Sequence, residues 1–257
     1  MFSHAITRYA LLAVAMVVVC PAFSPSLATA DDFRVRNEVF LVGQEEPISS
    51  STTVFRGNEV YDFLDDPAET IVFDRRSKIF VLLDVKKRVR AELTAKQVTT
   101  FVDELQDRAA KSTKPLARFW AKPQFEESVD QSGQVVLASR WMTYRLRLTP
   151  WKERSIPDSY AQFSDSYARL NTIINPGSRP PAARFLVNAA MARRGATPVE
   201  VNLTLLASES PSAEPVKLRS QHKLATKPTQ DDLDRIAAAE QQMKTFRRVK
   251  FEDYRKQ

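Results

Sequence analysis

The sequence predicts an α+β domain built on a predominantly antiparallel β-sheet: a meander, able to curve into a half-barrel, packed by two or three helices and followed by a C-terminal helical extension. Three observations carry this. Apolar residues alternate with polar ones over short runs in the first half of the chain, which is the period of a half-buried strand. Short polar turns separate those runs, as consecutive hairpins require. Later segments switch to apolar spacing of three and four with capping residues at their starts, the mark of amphipathic helices.

Phe33, Val35, Val39 and Leu41 fall on one side of the first run, with Arg34, Arg36 and Glu38 on the other. Thr53–Phe55 and Val60–Leu64 flank Arg56-Gly57-Asn58-Glu59. Gly-Asn between apolar runs is a hairpin signal because tight primed turns need positive φ. Thr70–Phe73 and Ile79–Leu83 flank a second polar turn, and Ile79–Leu83 is apolar on both sides, which predicts a strand covered on both faces. Arg88–Leu93 alternates again. Thr94 followed by Gln97 is a capping box, and Val98, Phe101, Val102, Leu105 and Ala109 form the stripe of the helix it opens.

Val135–Leu137 and Trp141–Leu148 predict two more strands. A helix follows with Tyr160, Phe163, Tyr167, Leu170 and Ile174 on one face. Pro180-Pro181 and Gly195 bracket another over residues 182–194, Pro at the start and Gly past the end. Val199, Val201, Leu203 and Leu205 alternate as a strand. Residues 207–215 are rich in Ser, Glu and Pro and predict a linker. Val216–Leu224 fits an edge strand, and Thr229 with Asp232 opens a final helix with Leu233, Ile236, Ala239, Met243 and Phe246 as its stripe. The basic tail, with Phe251 and Tyr254, fits a frayed helix end or a docked segment. The expected organisation is a signal peptide over 1–30, an α+β domain over 31–206, and a linker, edge strand and basic-tailed helix over 207–257.

The first thirty residues combine Arg8, an apolar run from Tyr9 to Cys20, and the small-x-small exit Ala28-Thr29-Ala30 before Asp31. These are the parts of a cleavable secretory signal. The run of twelve is short of the about 20 residues a membrane span needs. Val19 stands before Cys20 where a lipidated cysteine normally follows Gly, Ala or Ser, so cleavage after Ala30 is the reading the sequence favours. The expected location is the periplasm or cell envelope, with the processed chain soluble or peripheral.

Composition narrows the chemistry. The only cysteine is Cys20, inside the signal, and the five glycines are scattered, so there is no thiol nucleophile and no Gly-rich phosphate loop outside that segment. With His4 also in the signal, His222 is the one histidine beyond it, too few for a zinc site. It lies in a polar stretch, Arg219–Lys223. The Asp62, Asp65, Asp66 cluster lacks calcium-loop spacing and reads as turn acids at a strand end. Glu45-Glu46, Glu126-Glu127 and Asp231-Asp232 are adjacent in sequence and point apart, unlike the facing pair of a glycosidase. No catalytic residue, metal ligand or cofactor is expected, and the sequence reads as non-enzymatic. The formal charge of +7 is spread along the chain. Basic and aromatic residues interleave around Trp141 and in the tail, but no nucleic-acid motif accompanies them and none is expected to bind.

Phe55, Tyr61, Phe63, Phe80, Leu82, Trp141 and Tyr144 put large apolar side chains on the strands. They form either sheet-to-helix core or the lining of an apolar ligand cavity. The meander with Arg56-Gly57-Asn58-Glu59-Val60-Tyr61, then Lys78–Asp84 and a helix, resembles the LolA/LolB-like periplasmic proteins over residues 33–105. That resemblance implies a half-barrel lidded by helices that carries lipids or lipoproteins. The chain also resembles exported proteins of planctomycete-type bacteria, which implies the compartment. The expected function is an exported binding or carrier protein for an apolar or lipidated ligand. A structural or protein-interaction module of the envelope is the alternative, and a carboxylate-based hydrolase the third. The sequence leaves ligand, partner and oligomeric state open.

Overall fold

The computed structural model describes residues 32–175, 180–206, 208, 210 and 214–255. The expected signal, with Cys20, Ala28, Ala30 and Asp31, lies outside the described residues. Among those described, no helix is long and apolar enough to cross a membrane.

Six strands lead: β1 (Phe33–Leu41), β2 (Ser49–Arg56), β3 (Glu59–Leu64), β4 (Glu69–Asp74), β5 (Ile79–Asp84) and β6 (Val89–Thr94). Helices α1 (Ala95–Ala110) and α2 (Pro115–Ala121) follow, then β7 (Glu126–Val129), β8 (Val135–Ala138) and β9 (Met142–Pro150). Helices α3 (Ser155–Ile174) and α4 (Ala182–Arg193) precede β10 (Ala196–Leu205) and β11 (Val216–Ala225). The chain closes with α5 (Gln230–Thr245), β12 (Arg247–Arg248) and α6 (Phe251–Arg255). The fold is α+β, as the patterning predicts. Among the described residues, twelve strands join one open sheet in the order β12-β6-β5-β4-β3-β2-β1-β11-β10-β9-β8-β7. Every pairing is antiparallel except that of β12 with β6.

The hairpin turns use the left-handed conformations their lengths demand. Gly57 takes φ 54° between β2 and β3, while Lys78 and Arg88 take φ 59° and 54° in the next two turns that need it. A side chain costs roughly 1 kcal/mol there. In the β4–β5 turn Asp74 offsets it by accepting from the backbone N–H groups of Arg76 and Ser77.

Alternation sends two sets of side chains to opposite faces. The inward face carries Phe33, Val35, Phe55, Val60, Phe73, Phe80, Leu82 and Leu93, packed with β8–β10 residues and with α1, α3 and α4. The outward face carries Val54, Tyr61, Phe63, Val72 and Leu83 beneath Ile236, Ala239 and Phe246 of α5 and its C-cap. Strand β5 is thus apolar on both sides because each side is covered. The Thr94–Gln97 capping box forms as expected, and Thr229–Asp232 forms the same device for α5.

One expectation is corrected. Strand β11 is no edge: it pairs with β1 and β10 in the middle of the sheet. Its polar composition arises because its outward side chains lie beyond the α5 cover, while its inward ones include the polar site described next. The tail is docked: Phe251 and Tyr254 pack against the inward core, and the Tyr254 hydroxyl donates to Glu69 Oε1.

Candidate functional site

Near the centre of the sheet the inward face changes character. Along β1 the inward series runs Phe33, Val35, Asn37, Val39; along β2, Ser51, Thr53, Phe55; along β3, Val60, Asp62, Leu64. The register sets His222 opposite Asn37, Asn37 opposite Ser51, and Thr53 opposite Asp62. Five polar residues from four neighbouring strands therefore form one patch inside an apolar face. Helix α3 crosses over it with Tyr160, Phe163, Ser164, Tyr167, Ala168, Asn171 and Thr172, a face of three-and-four spacing. Pro181 and Arg184 at the start of α4 complete a pocket of about 430 Å³.

The floor is a directed hydrogen-bond chain. Asn37 Nδ2 donates to Thr53 Oγ1 at 3.0 Å and to Ser51 Oγ at 3.3 Å. Its amide oxygen is therefore the partner of His222 Nδ1, 2.9 Å away, so Nδ1 carries the proton and donates. The Thr53 hydroxyl donates in turn to Asp62 Oδ1 at 2.7 Å. This leaves His222 Nε2 as an acceptor, and it is buried with no partner among the described residues.

Burial tunes the charges. It pushes the His222 pKa down from 6.5 to about 3, with the Arg184 charge adding to the effect, so the imidazole is neutral. Burial raises the Asp62 carboxyl above its ordinary value, against hydrogen bonds from Thr53, Ser51 and Tyr167 that pull it down. The Tyr167 hydroxyl is pushed well above 10 by burial and then by the adjacent Asp62 charge. Arg184 stands against the Tyr160 hydroxyl together with Ser164.

The roof is fixed from both sides. Phe163 meets Phe55 edge-on with ring centres 5.5 Å apart, and Arg75 in the β4–β5 turn donates to Ser159 Oγ at 3.1 Å. Asn188 of α4 donates to Asp165 of α3 at 2.6 Å, which ties the two roof helices together.

The seven strand residues singled out from sequence do not share one surface. Phe55, Phe80, Leu82 and Tyr144 belong to the inward core. Tyr61 and Phe63 belong to the outward core under α5. Trp141 is half-buried with Arg140 stacked 4.5 Å from its ring. None of the seven lines the pocket. Asp62 is not a turn acid but a buried mid-strand residue, while Asp65, past the strand end, pairs with Arg36 at 2.7 Å. Sequence reasoning missed Asn37, Ser51, Thr53, Asp62, His222 and Arg184 as a set. The usable signal was a polar residue in the inward phase of a strand, at Asn37 between Val35 and Val39 and at Asp62 between Val60 and Leu64.

The arrangement offers a neutral buried acceptor, several hydroxyls and one guanidinium beside aromatic walls. Among the described residues, no three His, Cys, Asp or Glu side chains converge as a metal site. No protein-family description matches the chain, and no curated protein matches it.

Proposed function

We propose that this is an exported, non-enzymatic binding or carrier protein whose ligand, apolar over most of its surface, sits between α3 and the sheet. The observation that carries the reading is the composite wall of the pocket. Val39, Phe163, Tyr160, Tyr167 and Pro181 supply apolar contact, and the Asn37–Thr53–His222 floor supplies a few oriented polar groups. Ligand sites are typically concave, mostly apolar and of roughly 300–1,000 Å³. A hydrolase using two facing carboxylates is less well supported, since Asp62 is the one carboxylate in the pocket lining. Export and an envelope location rest on the first thirty residues of the sequence.

The test is native mass spectrometry of the full chain purified from its own envelope without detergent, beside an Ala168→Trp variant that fills the pocket. A stoichiometric small-molecule adduct, absent from the variant at unchanged melting temperature, is the expected result. An adduct-free protein that also fails to bind the lipophilic dye N-phenyl-1-naphthylamine would sink the proposal.

One observation favours the interaction-module alternative. Val42, Ile48 and Val216 are exposed at one end of the β2-β1-β11 region, where the Val42 N–H donates to the Lys217 carbonyl. Clustered exposed aliphatics mark contact surfaces. A chain that is dimeric by light scattering and becomes monomeric on Val42→Asp would favour it.

A further inference from the structure

Arg184 is the one cationic side chain among the residues lining the pocket, and no carboxylate lies within ion-pair distance of it among the described residues. Most other pocket-side charges are committed: Asp62 Oδ1 accepts from Thr53, and Asp165 of α3 accepts from Asn188. A half-buried guanidinium costs free energy unless an anion or strong acceptor meets its donors. The Tyr160 hydroxyl accepts from Arg184 and from Ser164, so its own O–H points onward as a donor that an oxyanion can use, with Ser164 beside it. On the floor His222 is neutral, and burial raises the Asp62 carboxyl, which its Thr53, Ser51 and Tyr167 partners already serve.

We propose that the ligand is an amphiphilic organic anion, its oxyanion head held by Arg184, Tyr160 and Ser164 and its apolar body against Phe163, Tyr167 and Val39. This rests on the pocket being a ligand site, and adds the charge of the ligand and the end at which it is read. Guanidinium–oxyanion pairs are charge-assisted and directional, so the head group fixes orientation while the walls supply area.

The experiment titrates the full chain with two dyes of one scaffold, the sulfonate 1-anilinonaphthalene-8-sulfonate and the neutral N-phenyl-1-naphthylamine. Arg184→Gln should weaken the sulfonate by about tenfold or more, the range of one charged hydrogen bond, and leave the neutral dye within about twofold. Ala168→Trp should abolish both, which localises them to the pocket. On wild type, decanoate and decyl phosphate should displace the sulfonate dye at least about tenfold better than decanol, and their ranking tells a carboxylate head from a phosphate one. If Arg184→Gln weakens both dyes equally or neither, and decanol competes as well as the anions, the charge inference is overturned while the pocket stands. If neither dye binds wild type, the pocket reading itself fails.

Discussion

The His222 imidazole donates through Nδ1 to the Asn37 side-chain oxygen across the β11–β1 pair, at 2.9 Å. That one contact orders the polar floor, because it commits the Asn37 oxygen and leaves its NH₂ to donate toward Thr53 and Ser51. Protonating Nε2 would place a cation in a buried site near Arg184. The folded-state pKa of about 3 lies below the ordinary 6.5, so the unfolded chain binds the proton more readily. Stability from this group is present above pH 6.5 and is lost as pH falls toward 3. In proton NMR the His222 C2–H resonance should not titrate between pH 8 and 5. Urea midpoints should fall over pH 6.5 to 4, and His222→Gln should flatten that fall. A resonance titrating near 6.5 would refute the buried neutral imidazole.

Asp62 works in the opposite direction. Its folded pKa is raised, burial outweighing the Thr53, Ser51 and Tyr167 hydrogen bonds. The folded state therefore holds the proton more tightly, and stability from this group is present below the unfolded value near 4 and lost as pH rises through the folded one. Asp62→Asn keeps an acceptor for Thr53 and removes the ionisation. The variant should equal or exceed wild type in stability at pH 8, with the advantage vanishing toward pH 4. Glu69 and Asp165 are raised by burial as well, so the difference between variant and wild type isolates Asp62. A variant less stable than wild type at pH 8 would show that the Asp62 charge is a net support of the fold.

How far the sequence could be read follows from which forces leave a local trace. Ile79–Leu83 announced a strand covered on both faces because burial on each side demands an unbroken apolar run. Thr94–Gln97 and Thr229–Asp232 announced helix starts because capping is settled within four residues. The placement of β11 left no such trace. Its partner β10 is the preceding strand, but β1, on its other side, lies at the far end of the chain, and a polar strand at the centre looks like a polar strand at the edge. The pocket was hidden for the same reason. Asn37, Thr53, Asp62 and His222 each look like a solvated residue until the ladder register sets them side by side. The short elements α2, β7, β12 and α6 lack enough turns for periodicity to emerge.

Asp232 joins two layers. It caps α5 through Thr229 and meets Arg34 Nε of β1 at 2.9 Å while fully buried. Losing a cap costs about 1 kcal/mol, and leaving a partner charge without its counter-ion adds to it, up to about 3–5 kcal/mol for a fully buried pair. Arg34 is about a quarter exposed, so solvent screens it and the added cost falls to about 1–2 kcal/mol. Asp232→Ala should cost about 2–3 kcal/mol in chemical denaturation and Thr229→Ala about 1 kcal/mol. Equal losses from the two variants would mean that the Arg34 contact adds nothing beyond the cap.

The C-terminal segment holds the sheet from both faces, and this too can be measured. Phe246 is buried in the outward cluster with Arg88 over its ring. Tyr254, eight residues on, packs against the inward cluster and donates to Glu69. Burial raises the Glu69 carboxyl, against the lowering by the Tyr254 hydroxyl, so removing that hydroxyl leaves a buried acceptor poorly served. Phe246→Ala should cost about 3–5 kcal/mol by cavity formation and Tyr254→Phe about 1–2 kcal/mol by the lost hydrogen bond. Because the two side chains act on opposite faces with no common partner, the double variant should equal the sum within about 0.5 kcal/mol. A marked shortfall from additivity would mean that the first substitution already undocks β12 and α6 as one unit, so that the parallel pairing of Arg247–Arg248 with β6 depends on Phe246 being seated.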